Sequence, residues 1–134
     1  MNVRGSLETE ALTHVMTRVL IVDDNADLRI LFRYFLTRHG LDCRSATGGE
    51  EALRLAESFP PDIVLLDIEM RGLDGYEVAQ RLIAAGTRPW LVAMTGHVER
   101  ARAAGFDRML AKPFRLEELV AVVQAHSGRN GKAG

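Results

Sequence analysis

Cysteine is almost missing from this sequence: Cys43 stands alone among 134 residues. A single thiol excludes an intrachain disulfide and fits a reducing cytosol, and thiol catalysis has no assignable histidine partner. Cys43 reads as a small apolar strand residue. A surplus of charge of one sign is missing too. Lys and Arg number 17 against 18 Asp and Glu, for a net charge of -1, and no basic block is available to neutralise phosphates. No nucleic-acid partner is expected. Apolar runs long enough to span a bilayer are also lacking, and residues 1–17 carry acids, Thr and His where a signal peptide would need an apolar core. The expectation is a cytoplasmic protein with no membrane partner. No internal repeat is visible.

Short apolar runs alternate with amphipathic stretches. Val19 to Val22 and Ile63 to Leu66 are strand-like runs that end in acids, the first in Asp23-Asp24 and the second in Asp67. Leu28, Leu31, Phe32, Phe35 and Leu36 recur at helical spacing up to Gly40, and 41–46 fits a second strand. Ala52, Leu55, Ala56 and Phe59 form the next helical face, which Pro60-Pro61 stops. Gly75, Val78, Ala79, Leu82 and Ile83 mark a third helix, and 89–95 a fourth strand. A short helical stretch over 97–104, a strand over 108–111, and Leu116, Leu119, Val120 and Val123 as the inner face of a last helix complete five β-then-α units. That alternation predicts an α/β fold with a parallel sheet covered on both faces, in which ligands collect outside the carboxyl ends of the strands. The chain divides into an N-terminal extension, 1–17, expected to be flexible; one domain, 18–126; and a Gly-rich tail, 127–134, also expected to be flexible. Met16 is a second candidate start.

Asp23, Asp24, Asp67, Thr95 and Lys112 all fall at strand ends. Three carboxylates held together repel by several kcal/mol at low effective dielectric, so the cluster makes physical sense around a hard divalent cation such as Mg²⁺. Each residue has a plainer reading. Asp23 or Asp24 can cap the first helix, Lys112 can be a solvated lysine, and Thr95 can be a β-former. His14, His39 and His126 lack a metal-ligand pattern and read as surface residues. Asp74-Gly75 reads as a turn and helix start.

Val22-Asp23-Asp24-Asn25, the strand-end Asp67 followed by Gly72-Leu73-Asp74-Gly75, the Met94-Thr95-Gly96 step and Lys112-Pro113-Phe114 together resemble the receiver domains of bacterial two-component response regulators. The match covers roughly residues 18 to 126. The resemblance implies a flavodoxin-like doubly wound sheet of five parallel strands, (βα)5. It implies that Asp67 accepts a phosphoryl group from a histidine kinase or phosphotransfer protein, with Thr95 and Lys112 assisting. It further implies that Asp24, Asp67 and the backbone carbonyl of Glu69 ligate Mg²⁺, that Asp23 acts through a bound water, and that the Lys112-Pro113 peptide is cis. Glu69 and His97 fall where family members flank the path of the water that attacks the phospho-aspartate.

Three features depart from the family pattern. Met109 stands where relatives usually carry Tyr or Phe, Arg71 where many have Pro, and only residues 96–111 separate Thr95 from Lys112, which predicts a shortened fourth helix. The expectation is a stand-alone receiver that signals to a protein target through its own surface, and a signalling module in preference to an enzyme. A receiver-shaped binding module whose output ignores phosphate is an alternative. A haloacid dehalogenase-like phosphohydrolase fits less well, because that class wants a second Asp two residues after a first-strand nucleophile, and Asp23 is followed by Asp24, Asn25 and Ala26.

Overall fold

The computed structural model describes residues 16–86 and 88–133. Ten elements alternate: β1 (Arg18–Val22), α1 (Ala26–Arg38), β2 (Asp42–Ala46), α2 (Gly49–Ser58), β3 (Ile63–Asp67), α3 (Gly75–Ala84), β4 (Trp90–Thr95), α4 (Val98–Ala103), β5 (Arg108–Ala111) and α5 (Leu116–Ala133). The strands form one parallel sheet in the order β2-β1-β3-β4-β5. This is the flavodoxin-like doubly wound order that the resemblance implies, with its reversal between β1 and β3.

Successive side chains of a strand point to opposite faces, so continuous apolar runs fill two cores at once. Leu20, Val22, Val64, Leu66, Leu91 and Ala93 pack on the face covered by α2, α3 and α4. Val19, Ile21, Ile63, Leu65, Val92 and Met94 pack on the face covered by α1 and α5, against Phe32, Leu36, Leu119 and Val123. Cys43 is buried in the second core, as its strand position predicts.

Several expectations need correction. Ile83 is 40% exposed, because it stands one position past Leu82, which fills the core. His126 is buried, not a surface residue: its ring centroid lies 5.2 Å from that of Trp90. Helix α5 runs past residue 126 to Ala133. Once the packed first turns have nucleated a helix, each added residue gains a backbone bond. His14 and all of the 1–17 extension except Met16 and Thr17 lie outside the described residues. Helix α4 is six residues long, as the short spacing predicts.

Candidate functional site

The sheet register sets the site. Val22 pairs with Leu66, Asp67 with Met94, and Thr95 with Ala111, so Asp23, Asp67, Thr95 and Lys112 follow one another along the carboxyl edge. The Lys112 N–H donates to the Thr95 carbonyl at 2.9 Å, which carries the β4–β5 ladder one residue further. The Lys112-Pro113 peptide is cis.

The acids converge. Oxygens of Asp23, Asp24 and Asp67 lie within 4.8 Å of one another; Asp23 and Asp67 are buried and Asp24 is exposed. Asp23 is held by an Asn25 N–H on its Oδ1 at 2.9 Å. Asp24 accepts the Arg71 N–H on Oδ2 at 3.2 Å. The cap of α1 is neither acid: Asn25 supplies it, its Oδ1 accepting the Leu28 N–H at 3.1 Å. Asp23 and Asp24 are thereby left with oxygens directed to the cluster. Burial pushes the Asp23 carboxyl above its ordinary value. The Asn25 N–H opposes that shift, the Asp67 charge adds to it, Lys112 opposes it and Asp24 adds again. An all-oxygen set with one shared centre and excess negative charge fits a hard divalent cation.

Lys112 Nζ donates to Asp67 Oδ1 at 2.7 Å, so it is not a solvated bystander. Burial by itself would lower its pKa, but the hydrogen bond and charge of Asp67, with Glu69 behind them, raise it, and the ammonium stays charged. Thr95 is fully buried. Its hydroxyl donates to a carboxylate oxygen of Glu69 and accepts the His97 N–H at 2.9 Å. Asp67 Oδ1 also accepts the Glu69 N–H at 3.0 Å.

The sequence places the Glu69 side chain beside the acceptor, but its contacts with Thr95, Gly96 and Lys112 are what sequence reasoning missed. Its acid lies two beyond Asp67, but nothing in the local pattern says that it crosses to the end of β4. Burial would raise its pKa, yet the Thr95 hydroxyl, the Gly96 N–H and Lys112 outweigh this and hold the carboxyl low. His97 is exposed at the start of α4, without a side-chain capping bond. Met109 is half-buried against the core beneath α2, α3 and α4. Arg71 is exposed beside Gly72, whose φ of +85° permits the tight turn that returns the chain to Asp74, the N-cap of α3.

Among the described residues no helix is long and apolar enough to cross a membrane. The family model described as "Response regulator receiver domain" matches residues 19–124. The chain is 40% identical over 113 residues to "Response regulator MprA" of Mycolicibacterium vanbaalenii, covering 81% of this chain and 49% of that protein. It is 34% identical over 122 residues to "Transcriptional regulatory protein PdtaR" of Mycobacterium tuberculosis, covering 87% of this chain and 59% of that protein. The chain therefore spans about half the length of these curated relatives. Among solved structures, the chemotaxis response regulator CheY4 of Vibrio cholerae superposes with a TM-score of 0.73 at 27% identity, over 83% of this chain and 98% of that one. The N-terminal domain of a Wolinella succinogenes protein gives 0.80 at 26% identity, over 89% and 99%. Matched motifs, sheet order and site together place this chain in the response-regulator receiver domain family.

Proposed function

We propose that this chain is a Mg²⁺-dependent phospho-accepting switch of a two-component phosphorelay, phosphorylated on Asp67 in the cytoplasm by a histidine kinase or phosphotransfer protein. The observation that carries the reading is the contact of Lys112 Nζ with Asp67 Oδ1 at 2.7 Å beside the buried Asp23. An oxygen of Asp67 attacks the phosphorus of the donor, and the P–N bond to the donor imidazole breaks. The imidazole leaves as the acyl phosphate forms. Asp24, Asp67 and the Glu69 carbonyl would hold Mg²⁺, with Asp23 acting through water, and the ion supplies neutralisation of charge on the transferring group. Lys112 balances a further negative charge, and the Thr95 hydroxyl and Gly96 N–H are donors for phosphoryl oxygens. The chain catalyses only its own phosphorylation and dephosphorylation, and its output is a change in protein contacts.

Helix α4 has only six residues, and Met109 offers no ring to carry a movement of Thr95 outward. These two features favour a second reading, a receiver-like binding module weakly coupled to phosphate. Labelling with a small radioactive phosphodonor tests the first. Wild type should acquire base-labile label only with Mg²⁺, and Asp67→Asn should lose it; near-stoichiometric label persisting in Asp67→Asn would refute the assignment.

A further inference from the structure

The donors that a phosphoryl group on Asp67 requires are already engaged. Thr95 has a single hydroxyl proton, and it goes to the Glu69 carboxylate while the same oxygen accepts the His97 N–H at 2.9 Å. The Gly96 N–H points at Glu69 Oε1 from 3.3 Å. Lys112 Nζ, bound to Asp67 at 2.7 Å, stands 3.4 Å from the same Oε1. Donors from the ends of β4 and β5 thus converge on one side-chain carboxylate. A carboxylate oxygen and a phosphoryl oxygen satisfy such donors in the same way, through negative charge and lone pairs. The Glu69 N–H on Asp67 Oδ1, at 3.0 Å, folds the segment back so that the side chain crosses the mouth of the site. That side chain is 38% exposed, so it has an open path into solvent.

We propose that the Glu69 carboxylate is a built-in stand-in for the phosphoryl group, a displaceable plug that occupies Thr95, Gly96 and Lys112 until phosphorylation of Asp67 expels it. The inference rests on the reading of Asp67 as phosphoacceptor. The plug opposes transfer twice, by holding the donors and by repelling the incoming dianion, and it selects for donors able to displace it. It makes position 69 a rate-setting residue by its side chain, while its carbonyl serves separately.

The test uses the full chain with acetyl phosphate and Mg²⁺, in which Asp67 attacks phosphorus and acetate leaves as the P–O bond breaks. Wild type, Glu69→Gln and Glu69→Ala are compared for initial labelling rate, for beryllofluoride affinity and for the melting shift produced by Mg²⁺ alone. Gln keeps an acceptor for Thr95 but loses the charge, so the rate should rise from wild type to Gln to Ala, reaching about tenfold. Beryllofluoride should bind tighter in the same order. The Mg²⁺ shift should stay constant, because the backbone carbonyl is untouched. Label appearing in Glu69→Ala where wild type takes none also supports the plug. Rates and affinities equal within twofold, or slower labelling with an unchanged Mg²⁺ shift, would overturn it and leave Asp67 as acceptor. Absence of label and of any beryllofluoride response in all three proteins would remove both readings. Should the alanine variant fold poorly, the near-isosteric glutamine decides by itself.

Discussion

Lys112 carries three protons and faces two acids. Its 2.7 Å contact with Asp67 offsets part of the repulsion among Asp23, Asp24 and Asp67, and its 3.4 Å approach to Glu69 ties that offset to the side chain across the mouth of the site. A change of charge at Lys112 therefore reaches both of these acids. Cys43 is the opposite case, a titratable group silenced chiefly by burial. Burial, the largest influence, pushes its thiol up to about 11. The thiolate is the nucleophile, so at pH 8 a shift of this size leaves Cys43 about a hundredfold less reactive than a free thiol. Iodoacetamide should leave the native protein unmodified on the timescale that labels it fully in guanidinium. Modification of the native protein at the unfolded rate would mean that β2 opens readily.

At the scale of elements, the turn between β3 and α3 couples the stability of the fold to the geometry of the acceptor. Gly75 begins α3 where an added Cβ would come within 3.1 Å of the Ile68 Cα and 3.3 Å of the Asp67 carbonyl oxygen. Backbone cannot yield as a side-chain tip does, so Gly75→Ala should cost about 1–3 kcal/mol by overpacking. Gly96 meets nothing within 4 Å, and Gly96→Ala should stay within about 0.5 kcal/mol. Urea midpoints of the two variants check the contrast, and equal midpoints would show that α3 shifts away from β3 at little cost. Helix α4 is the shortest helix among the described residues. Six residues nucleate poorly alone. Packing of Ala101 holds it, with the Arg100 guanidinium 4.7 Å above the Tyr76 ring and Tyr76 edge-on to Phe106.

For the whole molecule, the acids on the carboxyl edge oppose folding when no cation balances them. Asp24→Asn removes one of the repelling charges and one proposed ligand, so its melting temperature without Mg²⁺ should exceed that of wild type. Wild type in Mg²⁺ at about a hundred times its Kd should gain about 2.7 kcal/mol, on the order of 10 °C for a domain of this size. Asp24→Asn should lose most of that gain. Thermal melts over a Mg²⁺ series decide, and equal shifts in the two proteins would remove Asp24 from the metal set. Labelling rates that respond to Glu69→Gln while the Mg²⁺ shift does not would separate the Glu69 side chain from the proposed metal set.

Periodicity in the sequence determined the ten elements, because Val19 to Val22 and Ile63 to Leu66 are apolar on both faces and only a doubly covered parallel strand buries both. The short spacing between Thr95 and Lys112 determined that α4 would be brief. Asp23, Asp24, Asp67, Thr95 and Lys112 were legible as candidates because they end strands, and the carboxyl edge of such a sheet is where they meet. Local pattern failed where the deciding partner lies far along the chain. His126 is buried because Trp90, on another element, offers it a face. The Glu69 side chain reaches Thr95 and Lys112 across three strand ends. Such contacts depend on how strands register in space, and a period read along the chain carries no information about distances between elements that far apart.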